Sequence, residues 1–278
     1  MKKYLSFVKF EHTLFSLPMV FAGAFLAAHS VPGTRTILLI LCAATGARTA
    51  AMAINRIVDA QIDAKNPRTK NRAIPTGTIS GTEAYAVTGG GLAVYFASAY
   101  MICPLVFLLS PIPVAVFATY PYLKRVTPLC HFGVGAALAL APAGGWMAVR
   151  CSFDDIFVPL MLGIFTVFWV AGFDIIYSMA DEEFDKQNGL RSVVQSLGRE
   201  KALSVSTALH VLSVFPLIAL QTREFGMNLF SLAALGALCA IFALEHVKAS
   251  DTNFAFFKLN AGAGALVLVF TLCGIYFS

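Results

Sequence analysis

The chain has 278 residues, 58% of them hydrophobic and only 13% charged, with a mean hydropathy of +0.75. A soluble domain carries about a quarter charged residues, so an ordinary water-soluble globule is excluded. The formal net charge of +5 is concentrated in loop clusters of Lys and Arg. That pattern suits anionic ligands and the anionic leaflet of a lipid bilayer, and no nucleic acid partner is expected.

Apolar runs near 20 residues recur along the chain, each long enough to cross a hydrocarbon core of about 30 Å. Nine candidate spans lie at 13–29, 36–58, 83–102, 104–122, 131–149, 157–179, 201–220, 228–247 and 258–277. His12 stands at the start of the first run, a helix-end or interfacial position, and the run ends without a small-x-small cleavage pattern, so it reads as a span. Gly89, Gly90 and Gly91 fall inside the third span and predict close helix packing. Pro104, Pro111 and Pro113 predict kinks where the third span gives way to the fourth. Trp146 and Tyr120 are candidate walls of an apolar tunnel. Cys42, Cys103, Cys130, Cys151, Cys239 and Cys273 form no CxxC and no Cys/His cluster, and read as small apolar packing residues.

Charge sets the expected orientation. Sixteen Lys and Arg flank the spans on one side, three (Arg35, Arg150 and Arg223) on the other, and Arg48 lies within a span. The positive-inside rule then puts the N-terminus in the cytoplasm of an inner (plasma) membrane protein and the C-terminus outside. Two charged loops, 59–82 after the second span and 180–200 after the sixth, open on the cytoplasmic side. Each begins with spaced aspartates at the end of a membrane helix, and the four-span offset suggests an internal duplication.

These loops carry the chemistry. Asn55, Asp59 and Asp63 form NxxxDxxxD, and steps of four keep all three on one helical face, with Arg48 seven residues earlier on nearly the same face. Asp174, Tyr177, Asp181 and Asp185 form a second face. Carboxylates at helix C-termini oppose the macrodipole, and crowded ones repel, so a capping role does not account for them. Mg2+ does account for them, because it takes oxygen ligands and bridges one or two carboxylates to substrate phosphates. Lys65, Arg68, Lys70 and Arg72 suit the remaining phosphate charge. A metal-bridged diphosphate beside an apolar bundle implies a lipid diphosphate as ligand. Arg48, a cation inside a span, needs a partner, either a motif aspartate or a group of a bound ligand. Asp174, deeper than the other aspartates, either pairs with a basic residue or accepts a proton.

The segments NRIVDAQIDAKNPRTKNRAIPTG at 55–77, YPYLKRVTP at 120–128 and DIIYSMADEEFD at 174–185 resemble the UbiA superfamily of membrane prenyltransferases, and the span plan extends the likeness over the chain. The resemblance implies an all-α integral membrane fold, a single domain over 1–278, with nine transmembrane helices around a central cavity and cytoplasmic cap loops. It implies that Asn55, Asp59, Asp63, Asp181 and Asp185 hold Mg2+ and diphosphate, and that Arg72 and Lys124 contact the diphosphate. Arg48 and Tyr177 would complete the substrate site, with Asp174 among the catalytic residues. The expected reaction is transfer of a polyprenyl group from polyprenyl diphosphate to an aromatic acid of the 4-hydroxybenzoate type. The segments KFEHTLFSLP at 9–18 and ARTAAMAINRIVDAQIDAKNPRT at 47–69 are also similar to the branch that prenylates a dihydroxynaphthoate for menaquinone. A non-catalytic lipid-diphosphate binder or transporter is the reading from another class.

Overall fold

The computed structural model describes residues 2–9, 13–249 and 258–277. His12 lies outside the described residues. All regular structure among them is helical, with no strand. The helices are α1 (Lys2–Phe7), α2 (Thr13–Ala28), α3 (Thr34–Val58), α4 (Ala60–Lys65), α5 (Gly81–Ile102), α6 (Pro104–Leu109), α7 (Pro111–Thr119), α8 (Cys130–Arg150), α9 (Phe157–Ser178), α10 (Glu182–Gln187), α11 (Val193–Leu197), α12 (Arg199–Leu220), α13 (Leu229–Val247) and α14 (Asn260–Tyr276).

Seven segments are long and apolar enough to cross a membrane: α3, α5, the broken run Pro104–Arg125, α8, Phe157–Gln187, Arg199–Phe225 and α13. The first and last expected spans are apolar but shorter, α2 with 16 residues and α14 with 17. Both fall short of the ~20 residues a straight helix needs. The prolines act as the sequence predicts. Cys103 is extended (φ −168°, ψ 162°) between α5 and α6, and Pro104 and Pro111 each open a new helix, where a missing N–H costs nothing.

Helices α3 and α5 pack together, α8 lies between α2 and α9, and α12 covers α9. Close approach explains one of the three adjacent glycines. A Cβ on Gly91 would sit 2.9 Å from Ala50 N, whereas Gly89 and Gly90 face open space. Trp146 is a correction. It is 1% exposed and packs in the core with Phe165 and Trp169 instead of walling the cavity. The cysteines are a second correction, since Cys103 and Cys151 form a disulfide across 48 residues. Cys103 follows α5 and Cys151 follows α8, both at the end of the bundle opposite the aspartate motifs.

The two motifs fold alike. Helix α3 stops at Val58, Asp59 breaks it (φ −91°, ψ 1°), and α4 resumes at Ala60. Helix α9 stops at Ser178, a 3-10 turn runs Met179–Asp181, and α10 follows. The Asp59 N–H donates to Asn55 C=O at 3.0 Å and the Asp63 N–H to Asp59 C=O at 2.8 Å. The i to i+4 spacing therefore survives the break, although the helix is not continuous as the spacing alone suggests.

Candidate active site

Three segments converge at one end of the bundle: the loop after α3, the 3-10 helix Tyr120–Arg125, and the end of α9 with α10. Ion pairs join them. Lys124 Nζ donates to Asp59 Oδ2 at 2.6 Å, and Arg125 Nη2 lies 3.4 Å from Asp59 Oδ1. Arg72 Nη1 donates to both oxygens of Asp63 at 2.7 Å, and Arg56 Nη1 approaches Asp63 at 4.0 Å. Arg68 Nε donates to Asp181 Oδ1 at 2.8 Å, its Nη2 donates to Oδ2, and Asn66 Nδ2 donates to the same Oδ1 at 2.8 Å. Burial opposes the Arg68 charge, but the interactions with Asp181 and Tyr177 outweigh it and raise its pKa. Asp185, half-buried in the first turn of α10, is the motif aspartate for which the described residues supply no ion pair.

Behind this charged cluster lies a cavity of about 1120 Å³. Arg48, Asn55, Arg72, Asp174 and Tyr177 line it, as do Arg68 and Tyr120. Asp59, Asp63, Asp181, Asp185 and Lys124 do not. Asp59, with Lys124 on it, reaches the wall through Asn55, whose Nδ2 is 3.4 Å from Asp59 Oδ2, while Asp63 reaches it through Arg72 and Asp181 through Arg68. Asp59 and Asp63 are 3% and 4% exposed, more enclosed than motif residues at a wet surface would be. Going deeper, the walls turn apolar: Ala44, Ile40, Phe117, Val106, Ile102 and Ala141. From Asn55 to Ile40 helix α3 rises about 22 Å, so the cavity runs most of the bundle's length. Lys3 and Phe7 of α1 also line the mouth, and Lys3 Nζ pairs with Glu83 Oε1 at 2.6 Å.

Asp174 sits within the cavity wall and accepts a hydrogen bond from His131, Nδ1 to Oδ2, at 2.7 Å. Of the two roles open to Asp174, the structure supplies a basic partner. Sequence reasoning missed His131, together with Asn66 and Arg125. Arg125 adjoins Lys124 in YPYLKR, but nothing in the sequence brings position 131 to position 174. Lys65 and Lys70 are exposed and outside the cavity wall.

The donor set suits a hard cation: four carboxylates and an amide oxygen beside several phosphate-compatible cations. Among the described residues no three His, Cys, Asp or Glu side chains gather around one point that could hold an ion.

Residues 16–273 match the UbiA prenyltransferase family. The 4-hydroxybenzoate octaprenyltransferase of Idiomarina loihiensis is 29% identical over 233 residues, 84% of this chain and 81% of that protein. The protein of the same name from Polynucleobacter asymbioticus is 31% identical over 255 residues, 87% and 85% of the two chains. An apo UbiA homologue from Aeropyrum pernix K1 superposes with a TM-score of 0.85 at 34% identity, covering 92% of this chain and 95% of that one. A UbiA homologue from Archaeoglobus fulgidus bound to DMAPP and Mg2+ superposes at 0.70 over 96% and 99% of the chains; at 20% identity the likeness is one of fold. With its helical architecture, its paired aspartate segments and a match over nearly its whole length, the chain belongs to the UbiA prenyltransferase family.

Proposed function

We propose that the chain transfers a polyprenyl group from polyprenyl diphosphate to an aromatic acid of the 4-hydroxybenzoate type, a step of quinone biosynthesis, with Mg2+ at its aspartate motifs. The observation that carries this reading is one cavity with an ionic mouth and an apolar depth, a shape that suits a lipid diphosphate held by its head. The names of the relatives and the family match support the same chemistry.

Asp59, Asp63, Asp181, Asp185 and Asn55 would hold the metal, which when bound stabilises the charge on the departing diphosphate. Arg72, Arg68 and Lys124, now paired with aspartates, turn to phosphate oxygens. The allylic C–O bond breaks, the ring carbon bonds to the prenyl carbon, and the displaced proton goes to Asp174. Arg48, about 10 Å deeper than Asn55 along α3, binds the acceptor's carboxylate. Tyr177, stacked under Arg68 at 4.8 Å, walls the mouth. The 64–82 loop and α1 exclude water, which would otherwise capture the prenyl cation.

Nine membrane crossings of one domain, with the bilayer thinned around the short α2 and α14, remain our reading, as does a cytoplasmic position for the N-terminus and both aspartate loops. The sixteen-to-three charge split supports that orientation, and so does a disulfide at the opposite end, where an oxidising compartment would keep it closed.

The test is diphosphate release by the purified enzyme with polyprenyl diphosphate and either 4-hydroxybenzoate or a dihydroxynaphthoate. Release that requires 4-hydroxybenzoate supports the reading. A requirement for the naphthoate moves the chain to the menaquinone branch, and no release with either acceptor favours a lipid-diphosphate binder.

A further inference from the structure

We propose that His131 is a positioning residue that fixes the Asp174 carboxylate for proton acceptance and ties it to the 180–200 loop; this rests on the reading of Asp174 as the proton acceptor. His131 is the second residue of α8 and is 2% exposed, so it does not reach the cavity itself. Asp174 does line the cavity, with 23% of its side chain accessible. An imidazole that touches no substrate but holds the exposed carboxylate at 2.7 Å acts through that carboxylate.

The second ring nitrogen defines which atom carries the proton. The backbone N–H of Val193 donates to His131 Nε2 at 3.3 Å. A nitrogen that accepts holds a lone pair, so the proton sits on Nδ1 and is donated to Asp174 Oδ2. That leaves Oδ1 as the oxygen without a hydrogen bond among the described residues. The ring therefore orients the carboxylate from behind the cavity wall.

Val193 is itself held firmly. Ser192 Oγ accepts from Gln195 N–H at 3.0 Å and caps α11. The Arg191 N–H donates to Lys124 C=O at 2.7 Å, Arg191 Nη1 donates to Val126 C=O at 2.7 Å, and Cys130 Sγ donates to Arg191 C=O at 3.4 Å. The loop that carries Asp181 and Asp185 therefore ends on the imidazole that orients Asp174. An ordinary satisfied core histidine would show the same burial, but its replacement would alter stability and leave turnover alone.

The experiment compares His131→Leu, His131→Asn, His131→Gln and Asp174→Asn in the purified full chain, measuring kcat, KM for each substrate and prenyl-diphosphate binding. Leu fills space and donates nothing, while each amide can replace the Nδ1–H donor. A hydrogen bond to a charged group sets the scale, so His131→Leu should lose about 30-fold in kcat with both KM values unchanged, and at least one amide variant should stay within about 3-fold of the parent. The proposal is overturned if His131→Leu keeps its kcat, if its loss lies in KM, or if both amides fall as far as Leu. If His131→Leu fails to accumulate, the amides decide alone: parental kcat in either supports the proposal, and loss in both overturns it. Asp174→Asn reads separately on the underlying assignment. Near-normal kcat there removes Asp174 as proton acceptor whatever His131 does.

Discussion

Arg68 and Asp181 are 113 residues apart in the chain, yet the guanidinium closes on the carboxylate through Nε at 2.8 Å and through Nη2, with the Tyr177 ring beneath it. This contact joins the two aspartate motifs into one site. Asp59 and Asp63 are likewise met by Lys124 and Arg72. The cluster thus holds Asp59, Asp63 and Asp181 neutralised, and the same cations lie within reach of an arriving diphosphate.

Asp59→Ala and Asp181→Ala should each cut transfer by at least about 100-fold. Their structural costs should differ. Asp59 is 3% exposed and meets two cations, so its loss leaves Lys124 and Arg125 without their partner and should cost about 1–3 kcal/mol. Asp181 is more open, and its variant should melt close to the parent. Turnover and thermal unfolding measured on both variants check this. Near-normal turnover in either removes that aspartate from the site.

Activity should depend on a divalent cation. Assay in excess chelator, followed by restoration with Mg2+ or Mn2+, tests the paired-motif reading. Full turnover in chelator would mean that the ion pairs seen here are structural.

Arg48→Met should raise the acceptor requirement by about 10- to 100-fold while prenyl-diphosphate binding is retained, the scale of a lost charge-assisted hydrogen bond. The competing account pairs Arg48 with Asp174 or Asp59, in which case its removal would damage folding or metal binding. Lost prenyl-diphosphate binding with unchanged acceptor affinity would move Arg48 to the diphosphate.

A single cysteine placed at Lys70 or Lys186 should resist impermeant thiol reagents added to intact cells, while Cys103 and Cys151 should be labelled only after reduction. Both loop lysines are exposed, so protection would report sidedness and not burial. Labelling of either loop from outside reverses the topology.

Hydropathy, charge asymmetry and motif spacing were sufficient to indicate a helical membrane protein, the break-prone Pro104–Pro113 segment and the residues of the charged cluster, because each is a local or periodic property of the chain. Arg48 and Asn55 on one helical face and Asp174 and Tyr177 on another, grouped by spacing, all line the cavity, as does Arg72. Three things depended on contacts between distant residues and had no local signature. The cations expected to await phosphate, Arg68, Arg72 and Lys124, are each paired with an aspartate, because carboxylates buried without a metal require countercharge. Cys103 and Cys151 look like packing residues until the ends of α5 and α8 bring them together. His131 reads as one more polar residue at a helix start, and only the packing of α8 on α9, with Val193 folded against its far nitrogen, turns it toward Asp174.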